Sequence, residues 1–102
     1  MKGAIMKIFK YTLSLNPINE FQEITIHKNA KILCLQMQNG IPTLWAIVDE
    51  DNPLITRQVF MTGTDYEISE GILLWTYLGT IQILDGALVF HYFIDWEERA
   101  KS

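Results

Sequence analysis

The chain has 102 residues, 49% hydrophobic and 12% aromatic, with twelve acidic against eight basic side chains and a formal charge of −4. That length is one domain, enough for two packed layers around one core, and the composition is too apolar for a disordered polypeptide. Arg57 is the only arginine before the last few residues, so no basic stripe exists to neutralise a phosphate backbone and duplex DNA or RNA is excluded as an expected partner.

So much apolar content in a small domain points to burial between subunits, and a homo-oligomer is expected. The acids are too scattered for a nucleic-acid mimic. Cys34 is the sole cysteine, which rules out an intrachain disulfide, fits a reducing compartment, and at a strand position reads as a small buried hydrophobe. No stretch approaches the ~20 apolar residues of a membrane helix. The opening MKGAIMKIFKYTLSL breaks into charge alternation without a long apolar run, so no signal peptide, no membrane contact and a cytoplasmic location are expected.

Residues 1–5 read as a flexible extension, with Met6 an alternative start. From Lys7 to Leu15, Phe9, Tyr11, Leu13 and Leu15 alternate with Ile8, Lys10, Thr12 and Ser14, the period of a half-buried strand. Asn16-Pro17 ends it, because proline lacks the amide donor and restricts its predecessor. Glu23–His27 offers a short second strand, suited to a sheet edge.

Lys31–Asp49 reads as a hairpin folded at Asn39-Gly40, since a type I′ turn needs φ > 0 at both central residues. Pairing Gln38 with Ile41 sets Leu33, Leu35 and Met37 against Ala46, Leu44 and Pro42, and Ile32, Cys34 and Gln36 against Ile47, Trp45 and Thr43. Pro42 then belongs at an edge or a strand's start. Asp49–Pro53 is the most polar run; it lacks the spacing and glycine of a calcium loop and reads as a solvated turn. Leu54–Thr62 resumes alternation as a fifth strand, with Ile55, Arg57, Val59 and Met61 on one face. Tyr66–Gly71 holds at most one helical turn.

Leu73–Trp96 reads as a long hairpin turning at Asp85-Gly86. Pairing Leu84 with Ala87 collects Trp75, Tyr77, Gly79, Ile81 and Ile83 with Trp96, Ile94, Tyr92, Phe90 and Leu88 on a core face. The opposite face carries Thr76, Leu78, Thr80, Gln82 and Leu84 with Asp95, Phe93, His91, Val89 and Ala87. Gly79 falls opposite Tyr92, whose ring would cover the missing side chain. Residues 97–102 read as a flexible tail of one β domain spanning 1–102. Six to seven short strands joined by tight hairpins make an all-β protein, a small antiparallel sandwich or barrel.

His27 and His91 are the only histidines, and neither has a further ligand at metal spacing, so no metal and no cofactor are expected. One cysteine and two histidines on separate strands do not make a nucleophile, base and oxyanion donor converge, so no enzyme is expected. His91 sits beside Thr80 across the hairpin and diagonal to Gln82. Thr62-Gly63-Thr64 could present amides to a phosphate, with Arg57 on the strand leading in, although an ordinary bend reads as well. Trp45, Trp75 and Tyr77 are apt for stacking a base, while at strand spacing such rings are commonly core.

The stretches IFKY at Ile8–Tyr11, AKIL at Ala30–Leu33, QMQNGIPTLWAIVD at Gln36–Asp49, GT at Gly63–Thr64 and YLGTIQILDGALVFHYF at Tyr77–Phe93 resemble a family of small, functionally uncharacterised proteins of tailed bacteriophages and prophages. Proteins of that family tend to continue Gly-Thr with Gly-His, where Asp65 and Tyr66 stand here, and to carry proline where His27 lies. The resemblance implies a phage-encoded accessory binding protein in the host cytoplasm, one class of which sequesters nucleotide signals of host defence in homo-oligomers. The expected ligand residues are Arg57, Thr64, Gln82, His91 and Trp45. The alternatives are a virion-associated assembly module or an inhibitor that binds a host protein directly.

Overall fold

A computed structural model of the protein describes residues 3–15 and 20–97. Seven antiparallel strands, β1 (Met6–Thr12), β2 (Glu20–His27), β3 (Lys31–Gln38), β4 (Ile41–Asp49), β5 (Leu54–Gly63), β6 (Thr76–Ile83) and β7 (Leu88–Ile94), follow in order with one 3₁₀ turn, Glu70–Leu74, before β6. They form two sheets, β1-β4-β3 and β2-β5-β7-β6. The expected all-β fold is therefore a sandwich and not a closed barrel, and no helix among the described residues is long and apolar enough to cross a membrane.

The alternation of apolar and polar residues decides what lies between the sheets. Leu35, Leu44, Ala46 and Val48 from the three-stranded sheet meet Ile24, Ile26, Ile55, Val59, Met61, Ile81, Phe90, Tyr92 and Ile94 from the four-stranded one. Each such side chain taken fully out of water contributes about 1.5–3 kcal/mol. The molecule is a slab of 52 × 31 × 17 Å with a radius of gyration of 14.5 Å, larger than the roughly 13 Å of a compact chain this long. Two broad faces consequently stay outside a thin core.

Both turn readings hold. Asn39 and Gly40 take φ of 51° and 78°, Asp85 and Gly86 54° and 86°, as the type I′ turn requires. Leu84 is also left-handed at φ 52°, so the ladder of the last hairpin stops at Ile83↔Leu88. Pro42 stands at the start of β4, where β1 pairing has ended at Thr12↔Thr43. Its carbonyl accepts the amide of Leu13 at 2.8 Å.

Two bulges correct the expected registers. In β3 the pairing shifts between Ile32 and Cys34, so Ile32 replaces Leu33 opposite Ala46 and Leu33 is left 42% exposed. In β6 it shifts between Tyr77 and Gly79, pairing Tyr77 with Phe93 and Thr76 with Ile94. An extra residue reverses the facing of everything before it. Leu78 therefore packs on the core, and Tyr77, expected inside, lies outside at 56% exposure.

Trp75 is likewise not core. It ends the 3₁₀ turn, which takes in Leu73 and Leu74, and packs against Phe21 with ring centroids 5.5 Å apart. Trp75 and the fully buried Tyr92 thus lie on opposite sides of the sheet, against the expectation that one face gathers both. Trp96 and Leu88, also assigned inward, are 38% and 41% exposed. Gly79 does face Tyr92, yet a side chain there would meet Leu35 first, at 3.4 Å. Its φ of 153° is a further reason for glycine.

Asn16-Pro17, Met1, Lys2 and residues 98–102 lie outside the described residues, so the strand-ending proline and most of the tail are not placed. Glu97, read as the tail's first residue, accepts the amide of Asn29 at 2.6 Å.

Candidate functional site

On the outer face of the four-stranded sheet, register alone builds a row of rings. Phe21 pairs with Phe60, Phe60 with Phe93, and Phe93 with Tyr77 across the β6 bulge, one aromatic from each strand. Centroids of Phe21 and Phe60 are 5.1 Å apart, those of Tyr77 and Phe93 5.5 Å, both within the range of favourable tilted pairs. The 64–75 segment joins the end of β5 to the start of β6, at opposite ends of the sheet. Ile72 on it is buried, as is Phe60, yet neither belongs to the core cluster. Trp75, at the end of that segment, packs against Phe21 of this face.

The next row is Thr62, His91 and Thr80. His91 Nε2 lies 2.8 Å from Thr64 Oγ1 and its Nδ1 2.9 Å from Thr80 Oγ1, and Thr80 in turn shares a short hydrogen bond with the Tyr77 hydroxyl. A neutral imidazole donates from one nitrogen and accepts at the other, so Tyr77, Thr80, His91 and Thr64 form one polar chain beside the rings. Thr64 also borders an open pocket of about 360 Å³ between Gly63 at the end of β5, Thr64 and Tyr66 beyond it, and Leu88, Val89 and Phe90 of β7.

Of the residues expected to hold a ligand, Thr64 and His91 are joined directly, and Gln82 follows Thr80 on the same exposed face opposite Val89. Arg57 points the other way. It is 6% exposed in the interior, its Nε donating to Asp95 Oδ1 at 2.9 Å and its Nη2 to the Asp95 carbonyl. Trp45 is half-buried on the outer face of the other sheet, between Lys10 and Cys34.

Sequence reasoning placed Tyr77 inside and so missed its part in the polar chain. The available signal was Gly79, because a glycine within a strand pattern often marks a bulge. The 49–53 turn behaves as a solvated turn: Asp49 accepts the amide of Asp51 at 2.9 Å and Glu50 pairs with Lys7 at 2.7 Å. No three His, Cys, Asp or Glu among the described residues converge to hold a metal ion. His27 Nδ1 lies 2.7 Å from the Asn52 carbonyl.

Fold and face together define a two-sheet β-sandwich with a partly open outer face that carries rings and a polar chain. The chain belongs to the domain-of-unknown-function family DUF7352, which matches residues 5–102. No curated protein and no solved structure matches it.

Proposed function

We propose that this is a non-enzymatic binding protein, an accessory factor of the kind tailed phages and prophages encode, working in the host cytoplasm as a homo-oligomer that sequesters a nucleotide-type signalling molecule. The observation that carries this reading is the imidazole of His91, held at both nitrogens by threonine hydroxyls beside Tyr77 and Phe93. Two neutral partners orient the ring as a hydrogen-bonding group. The rings beside it offer a planar base a stacking surface, and such stacking contributes about 1–3 kcal/mol per base. With Arg57 turned inward, Thr64, Thr80 and Gln82 supply the polar contacts, which favours the base and sugar over the phosphate as the recognised part.

The test is thermal melting against a panel of linear and cyclic nucleotides, together with analysis of nucleotide released from denatured recombinant protein. A matching ligand raises the melting temperature, and His91→Ala reduces the shift at least tenfold in ligand concentration. A flat panel with no released nucleotide would remove the small-molecule reading.

Exposed apolar side chains on both outer faces, among them Met6 and Ile8 on one and Phe21 and Tyr77 on the other, favour a second reading. In it the chain is an assembly module of the virion or docks directly on a host protein. Mass spectrometry of purified particles separates the two, since a sequestering factor is absent from them.

A further inference from the structure

We propose that the two outer faces are complementary and that the chain stacks head to tail, the three-stranded face of one copy on the four-stranded face of the next. This rests on the homo-oligomeric part of the reading above and adds the geometry of the contact.

The three-stranded face presents Ile8 at 61%, Met6 at 49% and Ile41 at 47% exposure, with Trp45 and Ile47 half-buried among them. Its charges are Lys10 and Lys31, in register with Trp45 and Ile47. Among the described residues of these strands the one carboxylate there, Asp49, stands at the rim and holds the Asp51 amide. The four-stranded face presents Phe21 at 53% and Tyr77 at 56%, with Leu73 at 86% on the crossing segment. Its charges are Glu23 beside Phe21 on β2, and Asp65, Glu67 and Glu70 on that segment. Between Ile32 and Glu97 the only lysine or arginine is Arg57, which is buried against Asp95.

Apolar surface with amines therefore stands on one side of the slab, and apolar surface with carboxylates on the other. Pairing either face with itself would set like charges together, which costs free energy and selects against that partner. Pairing one with the other satisfies both, and a contact between different faces propagates into a ring or an open stack. Three strands of about eight residues give a face of roughly 14 by 26 Å. Two such faces together amount to roughly 700 Å², below the size of a stable specific interface, so the contact is weak and association rises with concentration. The stack also brings Trp45 of one copy to the face that carries Thr64, Gln82 and His91 of the next.

The test uses the full chain in sedimentation velocity across a wide concentration range, with Ile8→Glu blocking one face and Leu73→Glu the other. Circular dichroism and melting establish that each variant folds. Lys10→Glu with Glu23→Lys serves as a second pair should either variant fail to fold; because the exchanged charges complement each other, that mixture recovers association without stopping at a pair. The wild type forms oligomers; each variant alone self-associates at least tenfold more weakly; an equimolar mixture of the first two recovers association and stops at a pair. A wild type that stays single at the highest concentration, a variant that still dimerises alone, or a mixture that stays single each overturns the proposal. Stacking without any nucleotide-dependent melting shift sinks only the ligand reading, whereas such a shift in a single chain sinks only the stacking.

Discussion

At Arg57 the alternation of β5 sends a guanidinium into the apolar interior, with Ile55, Val59 and Met61 on the same side. Burying a charge is tolerated only when it is paired and hydrogen-bonded, and Asp95, 1% exposed, provides both. Its second oxygen also accepts the amide of Gln58 at 3.2 Å, so the pair fastens the end of β7 to β5. Arg57→Met or Asp95→Asn is expected to cost about 3–5 kcal/mol by stranding the other charge. The double variant should cost clearly less than the sum, as urea denaturation in a double-mutant cycle would show. Single losses below about 1 kcal/mol would mean that the pair is no anchor. The alternation put Arg57 on one face with Ile55, Val59 and Met61 but did not say that this face was the inner one. It could not show the carboxylate, 38 positions along the chain, so the cation looked available to an anion.

Elements were legible wherever a turn residue and a period agreed. Asn39-Gly40 and Asp85-Gly86 set registers that hold from Gln38↔Ile41 to Cys34↔Trp45 and from Ile83↔Leu88 to Gly79↔Tyr92. Each fails at its first bulge, because an inserted residue leaves composition unchanged while inverting the faces beyond it. The crossing segment was illegible for another reason. Tyr66–Gly71 is polar, and what the segment buries is Ile72, outside that run. Ile72→Ala is expected to destabilise by about 2–4 kcal/mol. Hydrogen exchange should show the amides of residues 64–75 opening ahead of the strands, since a locally held segment unfolds by itself. Exchange unchanged in that segment would mean that the 3₁₀ turn is held elsewhere.

For the whole molecule, the two sheets are joined by burial and by polar links at Ser14, whose amide donates to Gln22 Oε1 of β2 at 2.8 Å and whose carbonyl accepts from Gln22 Nε2 at 3.3 Å. The hydroxyl of Tyr92, on β7, donates to the carbonyl of Ser14, just beyond β1, at 3.2 Å. Burial pushes the Tyr92 phenol up to about 12 from its ordinary 10.0, and burial raises Tyr11 as well. The folded pKa lies above the unfolded one, so this stability is complete below pH 10. It falls between pH 10 and about 12, where only the unfolded chain ionises, by about 2–3 kcal/mol in all. Urea midpoints measured across that range should decline steeply, and Tyr92→Phe should flatten the decline, leaving the smaller share due to Tyr11. An unchanged slope in the variant would place the loss in other groups. An antiparallel sandwich or barrel followed from strand count and short turns, and the choice between the two did not. Nor did the flatness of the slab, because thickness depends on how the sheets lie over one another.

The placement of charge has one more effect. Lys10 and Lys31 sit on one broad side while Glu23, Asp65, Glu67 and Glu70 sit on the other, so the slab carries a permanent electrical polarity across its shortest dimension. Beside an anionic surface it turns its amine side inward and leaves the aromatic side outward, before any specific contact forms. Orientation is thereby written into the chain by the placement of its charges alone.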